Sequence, residues 1–130
     1  MTFWLKMIGL PDNPWPEKKP YDRKKIGFRG RKPTGVHPGD RVILYAVRWK
    51  RVFAIADVTS DWQHNDEDGW PYCVEIRWPL EVNLSPSAGV DANEVSADLT
   101  HRVRRRSHTR LSREEFELAA QKLRQASNRV

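Results

Sequence analysis

Residues 101–110, HRVRRRSHTR, hold five arginines and two histidines. A guanidinium is a rigid fork of donors that meets a phosphate or carboxylate through two parallel hydrogen bonds. A histidine beside such a fork can move a proton. A second set of residues is aromatic. Six tryptophans occur in 130 residues. Trp62 and Trp70 flank a polar, acidic stretch, outside any apolar run. Exposed rings of this kind stack on planar ligands or on cations.

Several chemistries are absent from the string. The single cysteine, Cys73, leaves no internal disulfide and no cysteine-rich metal site. His37, His64, His101 and His108 are scattered without metal-ligand spacing, so no metal and no cofactor is expected. There is no phosphate-binding glycine loop and no nucleophile elbow. The one enzyme class that the residues suit is a small metal-independent ribonuclease of the RelE-toxin type. There His108, among Arg105, Arg106 and Arg110, would be the reactive centre. No second base stands near it in the sequence, and a binding module is the expectation. A protein-interaction module is the remaining class.

Charge is segregated along the chain. Residues 18–51 carry a net +10, residues 52–100 a net −9, and residues 101–130 a net +6. Two basic segments flank an acidic middle. A fold that joins them makes one positive face, which selects a polyanion and most often nucleic acid. The longest uncharged runs are far too short to span a bilayer, so no membrane partner is expected. The N-terminus lacks the pattern of a secretory signal. The expectation is a cytoplasmic protein of one domain over 1–130.

These residues must be held by elements. The run at 3–8 reads as a buried strand ended by Gly9 and Pro11. Residues 11–40 hold six prolines and four glycines and read as a long basic loop, with a short helix near 18–25. Gly39 and Asp40 signal a turn into a strand at 41–48. Trp49 and Lys50 then link it to a strand at 51–58. Residues 72–78 alternate, with Tyr72, Val74, Ile76 and Trp78 on one face. Pro79 interrupts before a short strand resumes at 80–82. Ser112 and Glu115 form a capping box, and Leu111 and Phe116 stand at the hydrophobic-staple positions. Phe116, Ala119, Ala120 and Leu123 share one helical face, so a helix is expected over 113–126. The arginine run before it, with Val103 alternating, reads as a strand whose arginines project off the sheet. The order of elements makes an α+β fold on a mixed sheet, a small closed barrel.

The residues GDRVILY at 39–45 and FAIADV at 53–58 resemble the EVE domain, a PUA-like fold related to the YTH domain. Trp4-Leu5-Lys6 is similar to the first strand of that family. The residues at 104–111, followed by Arg113-Glu114-Glu115-Phe116, are similar to its arginine-rich closing strand and last helix. The sequence departs from the family where Met7-Ile8-Gly9 replaces Thr-Glu-Pro, and Gly27-Phe28-Arg29 only echoes its Gly-Val-Arg-Asn loop. The resemblance implies a PUA-like mixed β-barrel with flanking helices and a C-terminal amphipathic helix. It also implies a reader of modified bases in DNA or RNA that holds a flipped base in an aromatic cage. Trp70, Trp62, Phe28, Tyr45 and Lys6 are the candidates for that pocket. Tyr45 reads equally as core, and Lys6 as an ordinary edge lysine. Arg29, Arg31, Lys32, Arg104, Arg105, Arg106 and His108 are the candidates for contacts with the nucleic-acid backbone. Trp78 and Trp4 read as core, Trp49 as a surface cap, and Trp15 as a pin for the loop.

Overall fold

Strand β1 (Phe3–Ile8) is packed on both faces, and it lies inside the sheet between two partners. Gly9 ends it at φ 72°, a conformation that costs glycine little. The next strand to pair with it is parallel, and a parallel pair needs a long crossover. That requirement accounts for most of the basic loop. The crossover carries strand β2 (Lys25–Phe28), which sequence reading left as loop. Its alternation is only two apolar residues long, Ile26 and Phe28, and Gly27 and the lysines hide it. Trp15 is buried and donates to the Pro20 carbonyl at 3.3 Å, with Arg23 over its ring.

The computed structural model describes residues 1–9, 15–16, 18, 20–67, 69–79, 82–105 and 108–128, without the side chains at 103–105. Among these, β3 (Arg41–Ala46) pairs parallel with β1 and antiparallel with β4 (Arg51–Val58). The turn between β3 and β4 takes four residues, 47–50, rather than the two expected. A register shift between Leu44 and Tyr45 leaves Phe53 as an extra residue in β4, and Lys50 adopts φ 54° where tight turns favour glycine. Strands β5 (Gln63–His64) and β6 (Tyr72–Arg77) form a hairpin, with β6 also pairing β4 and β2. A short β7 (Val90–Asp91) pairs with β4. Val82 is buried but not in a strand, and residues 80 and 81 lie outside the description.

The arginine run is not a strand. Helix α1 (Leu99–Arg105) takes most of it, and only β8 (His108–Leu111) joins the sheet, antiparallel to β1. Val103 made the run look alternating, but Leu99, fully buried, anchors a helix instead. Residues 106–107 lie outside the description. Helix α2 (Arg113–Asn128) begins with the expected box: Glu115 N–H donates to Ser112 Oγ at 3.1 Å, and Ser112 N–H donates to Glu115 Oε1 at 2.9 Å. It buries Phe116, Ala119, Ala120 and Leu123.

The main strand path runs β2-β6-β4-β3-β1-β8, and it curls. Phe28 on β2 meets His108 on β8, with ring centroids 5.1 Å apart, so side chains bridge the two ends of the path. The result is a small mixed α+β fold with a half-barrel sheet and a C-terminal helix. Helix α2 covers the outside, where Phe116 stacks on Phe3 at 4.4 Å. Residues alternate along β1, so Trp4 and Lys6 point the other way, into the curl. Among the described residues, no helix is long and apolar enough to cross a membrane.

Candidate nucleic-acid interface

Four segments deliver side chains to the inside of the curl and its rim. Strand β1 supplies Trp4 and Lys6. Strand β8 supplies His108 and Arg110, which pair with Lys6 and Trp4 respectively and so share their face. Strand β2 supplies Phe28, and the following loop supplies Arg29, Arg31 and Lys32. The β5–β6 loop supplies Trp70.

Lys6 is the least expected member. It is 1% exposed, and its Nζ donates to the Met7 carbonyl at 2.5 Å. The Nζ lies 4.8 Å from the centroid of Phe28 and 5.5 Å from that of Trp70. Burial penalises the ammonium and lowers it to about 7. Near neutral pH this amine is therefore divided between its charged and uncharged forms. Arg29 lies over Trp70 at 5.3 Å, so the indole is flanked by a guanidinium and by the Lys6 amine. Gly27 lets Trp70 come this close: a β-carbon there would stand 3.0 Å from Trp70 Cβ.

Beside this cluster opens a cleft of about 790 Å³. Trp4, His108, Arg29, Arg31, Lys32 and Arg110 line it, and no carboxylate is among its described lining residues. Four basic side chains from two segments line it, which makes a site for anions. Trp4 is only 7% exposed but presents its ring to the cleft, with Arg110 above it at 5.5 Å. Asp40 fixes the indole. Its carboxylate accepts from Trp4 Nε1 at 3.0 Å, from Thr2 N–H at 2.9 Å and from His37 N–H at 3.0 Å. Burial alone would raise that carboxyl, but the hydrogen bonds outweigh it and hold it below its usual range.

The structure brings together Lys6, Phe28, Trp70, His108, Arg29, Arg31 and Lys32 from the sequence candidates. Trp62 stands apart, in a ring cluster with His64 and Tyr72 on the β5–β6 hairpin. Tyr45 is packed in the core, 3% exposed and opposite Met7, rather than at the pocket. A central strand buries both of its faces, and the sequence offers no sign of which residue reaches a rim. The side chains of Arg104 and Arg105, and all of Arg106, lie outside the described residues. Trp4 and Arg110 are the members that sequence reading missed. The two-residue spacing of Trp4 with Lys6, and of His108 with Arg110, was the available signal.

Arg102 has a different task from its neighbours in the run. It donates to Glu115 Oε2 at 2.6 Å and to the Arg110 carbonyl, joining α1, β8 and the start of α2. The Glu115 carboxyl, which burial would raise, is lowered by its bonds with Ser112 and Arg102. This clamp holds the strand that carries His108 and Arg110.

No protein-family model matches the chain, and no curated relative matches it. Solved structures do share the fold. A Rhodopseudomonas palustris protein determined by NMR is similar over 100% of this chain and 95% of its own, with a TM-score of 0.58 and 18% identity. A crystal structure of an Agrobacterium tumefaciens protein covers 93% of this chain and 92% of its own, at TM-score 0.62 and 16% identity. A hypothetical protein from Leishmania major covers 99% and 96%, at TM-score 0.63 and 14% identity. At these identities the likeness is one of fold.

Proposed function

We propose that this chain is a nucleic-acid-binding module of the EVE type, on a PUA-like half-barrel, that holds an extruded base beside a cationic cleft. The observation that carries the reading is the buried Lys6 amine against Phe28 and Trp70, next to a wall of Arg29, Arg31, Lys32 and Arg110. Taking a base out of its stack costs a few kcal/mol. Stacking on an aromatic ring returns ~1–3 kcal/mol per base. A partly uncharged amine gives the pocket a polar group that can donate to or accept from the edge of a base. The four cations supply affinity for phosphates without regard to sequence.

The test is binding to matched oligonucleotides, plain and carrying a modified cytosine or adenine, at two salt concentrations. A tenfold preference for one modification, ~1.4 kcal/mol, supports the reading. Trp70→Ala should abolish that preference. Replacing Arg29, Arg31 and Lys32 together with alanine should weaken all sequences alike and lower the salt slope by about 2 on a single strand. Binding without any preference would remove the base pocket from the account. Cleavage of the probe would replace the module with a nuclease.

A further inference from the structure

The cluster that Trp62 forms lies one side chain away from the base pocket. Tyr72 on β6 stands directly opposite Phe28 on β2, and His64 on β5 stands opposite Tyr72. Paired residues share a face, so Phe28, Tyr72 and His64 form a row. Trp62 joins it edge-on, with ring centroids 5.5 Å from His64 and 5.7 Å from Tyr72. Trp62 and Tyr72 are half-buried and His64 is exposed. The nearest cation is Lys32, whose Nζ lies 5.0 Å from the Trp62 centroid. Lys32 also lines the cleft, so one exposed ammonium touches both places.

We infer that Trp62, His64 and Tyr72 are a second stacking platform, which takes the base next to the extruded one and restricts the ligand to single-stranded nucleic acid. The inference rests on the base-pocket reading. In a duplex, neighbours of a flipped base stay stacked and paired, whereas a single strand can offer successive bases to successive rings. Lys32 stands where it can neutralise the phosphate between the two bases and, by moving, uncover the indole. The hairpin also carries Asp61, Asp66 and Glu67. Asp61 contacts His37 at 3.4 Å, and Glu67 contacts Arg23 at 3.6 Å. These carboxylates repel phosphates of a second strand, while the first strand keeps its phosphates on the Lys32 side. Asn65, next to His64 in the chain, ties this hairpin to the other stacking position: its Nδ2 donates to the Trp70 carbonyl at 2.8 Å.

A fluorescein-labelled twelve-nucleotide single strand of mixed sequence, and the same strand in a duplex, test this with the full chain. The parent should bind the single strand more tightly than the duplex. Trp62→Ala should weaken single-strand binding roughly tenfold (~1.4 kcal/mol), Trp62→Phe should restore most of it, and the weaker, charge-driven duplex binding should not change. His64→Ala, at an exposed position, should weaken the single strand several-fold and carries the test if Trp62→Ala unfolds. Equal losses on strand and duplex would overturn the inference, as would no loss in either variant. Trp70→Ala separates the two ideas. If it weakens binding while Trp62→Ala and His64→Ala do not, the pocket stands and the platform falls. If only the platform variants matter, the pocket reading falls. An unmodified protein that fails to bind either probe ends both.

Discussion

Replacing Lys6 with methionine keeps a side chain of similar length and removes an amine that the fold buries. Lys6 is 1% exposed, and burial lowers it from an ordinary value of 10.5 to about 7. At ~1.4 kcal/mol per pH unit, that gap amounts to about 5 kcal/mol. Its sign follows from counting protons. Between pH 7 and 10.5 the unfolded chain holds a proton that the folded chain lacks, so stability rises with pH. The gain is complete above the unfolded value of 10.5. It is lost as pH falls to about 7, and below that the fold carries the full burden of a buried ammonium. Lys6→Met should therefore be more stable than its parent at neutral pH, and the margin should shrink as pH rises. From about pH 7.5 to about pH 9 the parent should gain about 2 kcal/mol on the variant. Cys73 acts in the opposite direction, because burial raises its thiol and the unfolded chain ionises first. That contribution is common to both proteins and cancels in the difference. Urea unfolding at pH steps from about 6 to about 9.5, with midpoints and slopes for both proteins, reads the margin. A difference that stays constant across the window would refute the reasoning.

Gly27→Ala should displace Trp70, because the new β-carbon stands 3.0 Å from Trp70 Cβ. Its expected effect is a several-fold loss of affinity for an oligonucleotide with a stability change below ~2 kcal/mol, read by titration and thermal melting. Arg102→Ala should cost ~1–3 kcal/mol by taking the Arg102 donor from Glu115 Oε2 and from the Arg110 carbonyl. Its salt slope for single-strand binding should match the parent, which separates a clamp from a phosphate contact. The stability that the clamp gives Glu115 is present above its ordinary value near 4.5 and is lost as pH falls through the lowered folded value. Asp40→Asn should cost ~1–3 kcal/mol at pH 7, because the amide has one acceptor oxygen for three donors. Tryptophan fluorescence should report the released Trp4 in the same samples.

Local signals were readable without a structure. The apolar runs at 3–8 and 51–58 form strands at those places, and the turn at Gly39 takes φ 92°. The capping box and the spacing of Phe116, Ala119, Ala120 and Leu123 place α2. Elements of this kind are decided within a dozen residues. The 101–110 run misled for the same reason. An alternating valine is weak evidence over five residues, and burial of Leu99 outweighed it. Lys6 and Phe28 could be named from the string only through a likeness to a family, and Trp70 only as one of two rings flanking an acidic stretch. Their mutual distances had no counterpart in it.

By itself the sequence determined that apolar strands and a C-terminal helix must pack, and that two basic segments flank an acidic one. Those outcomes rest on side-chain chemistry and short periodicities, which every stretch of chain carries with it. Only the tertiary structure decided which residues face one another. The parallel pairing of β1 with β3 forces the long crossover that carries Phe28 and the loop cations. The antiparallel pairing of β1 with β8 sets His108 against Lys6 and Arg110 against Trp4. A shift of one residue in either register would turn those side chains to the helix-covered face. The curl then closes the distance between β2 and β8, burying Lys6 deeply enough to lower its ammonium. Register and curl are settled by contacts between residues as far apart in sequence as Phe3 and Leu111.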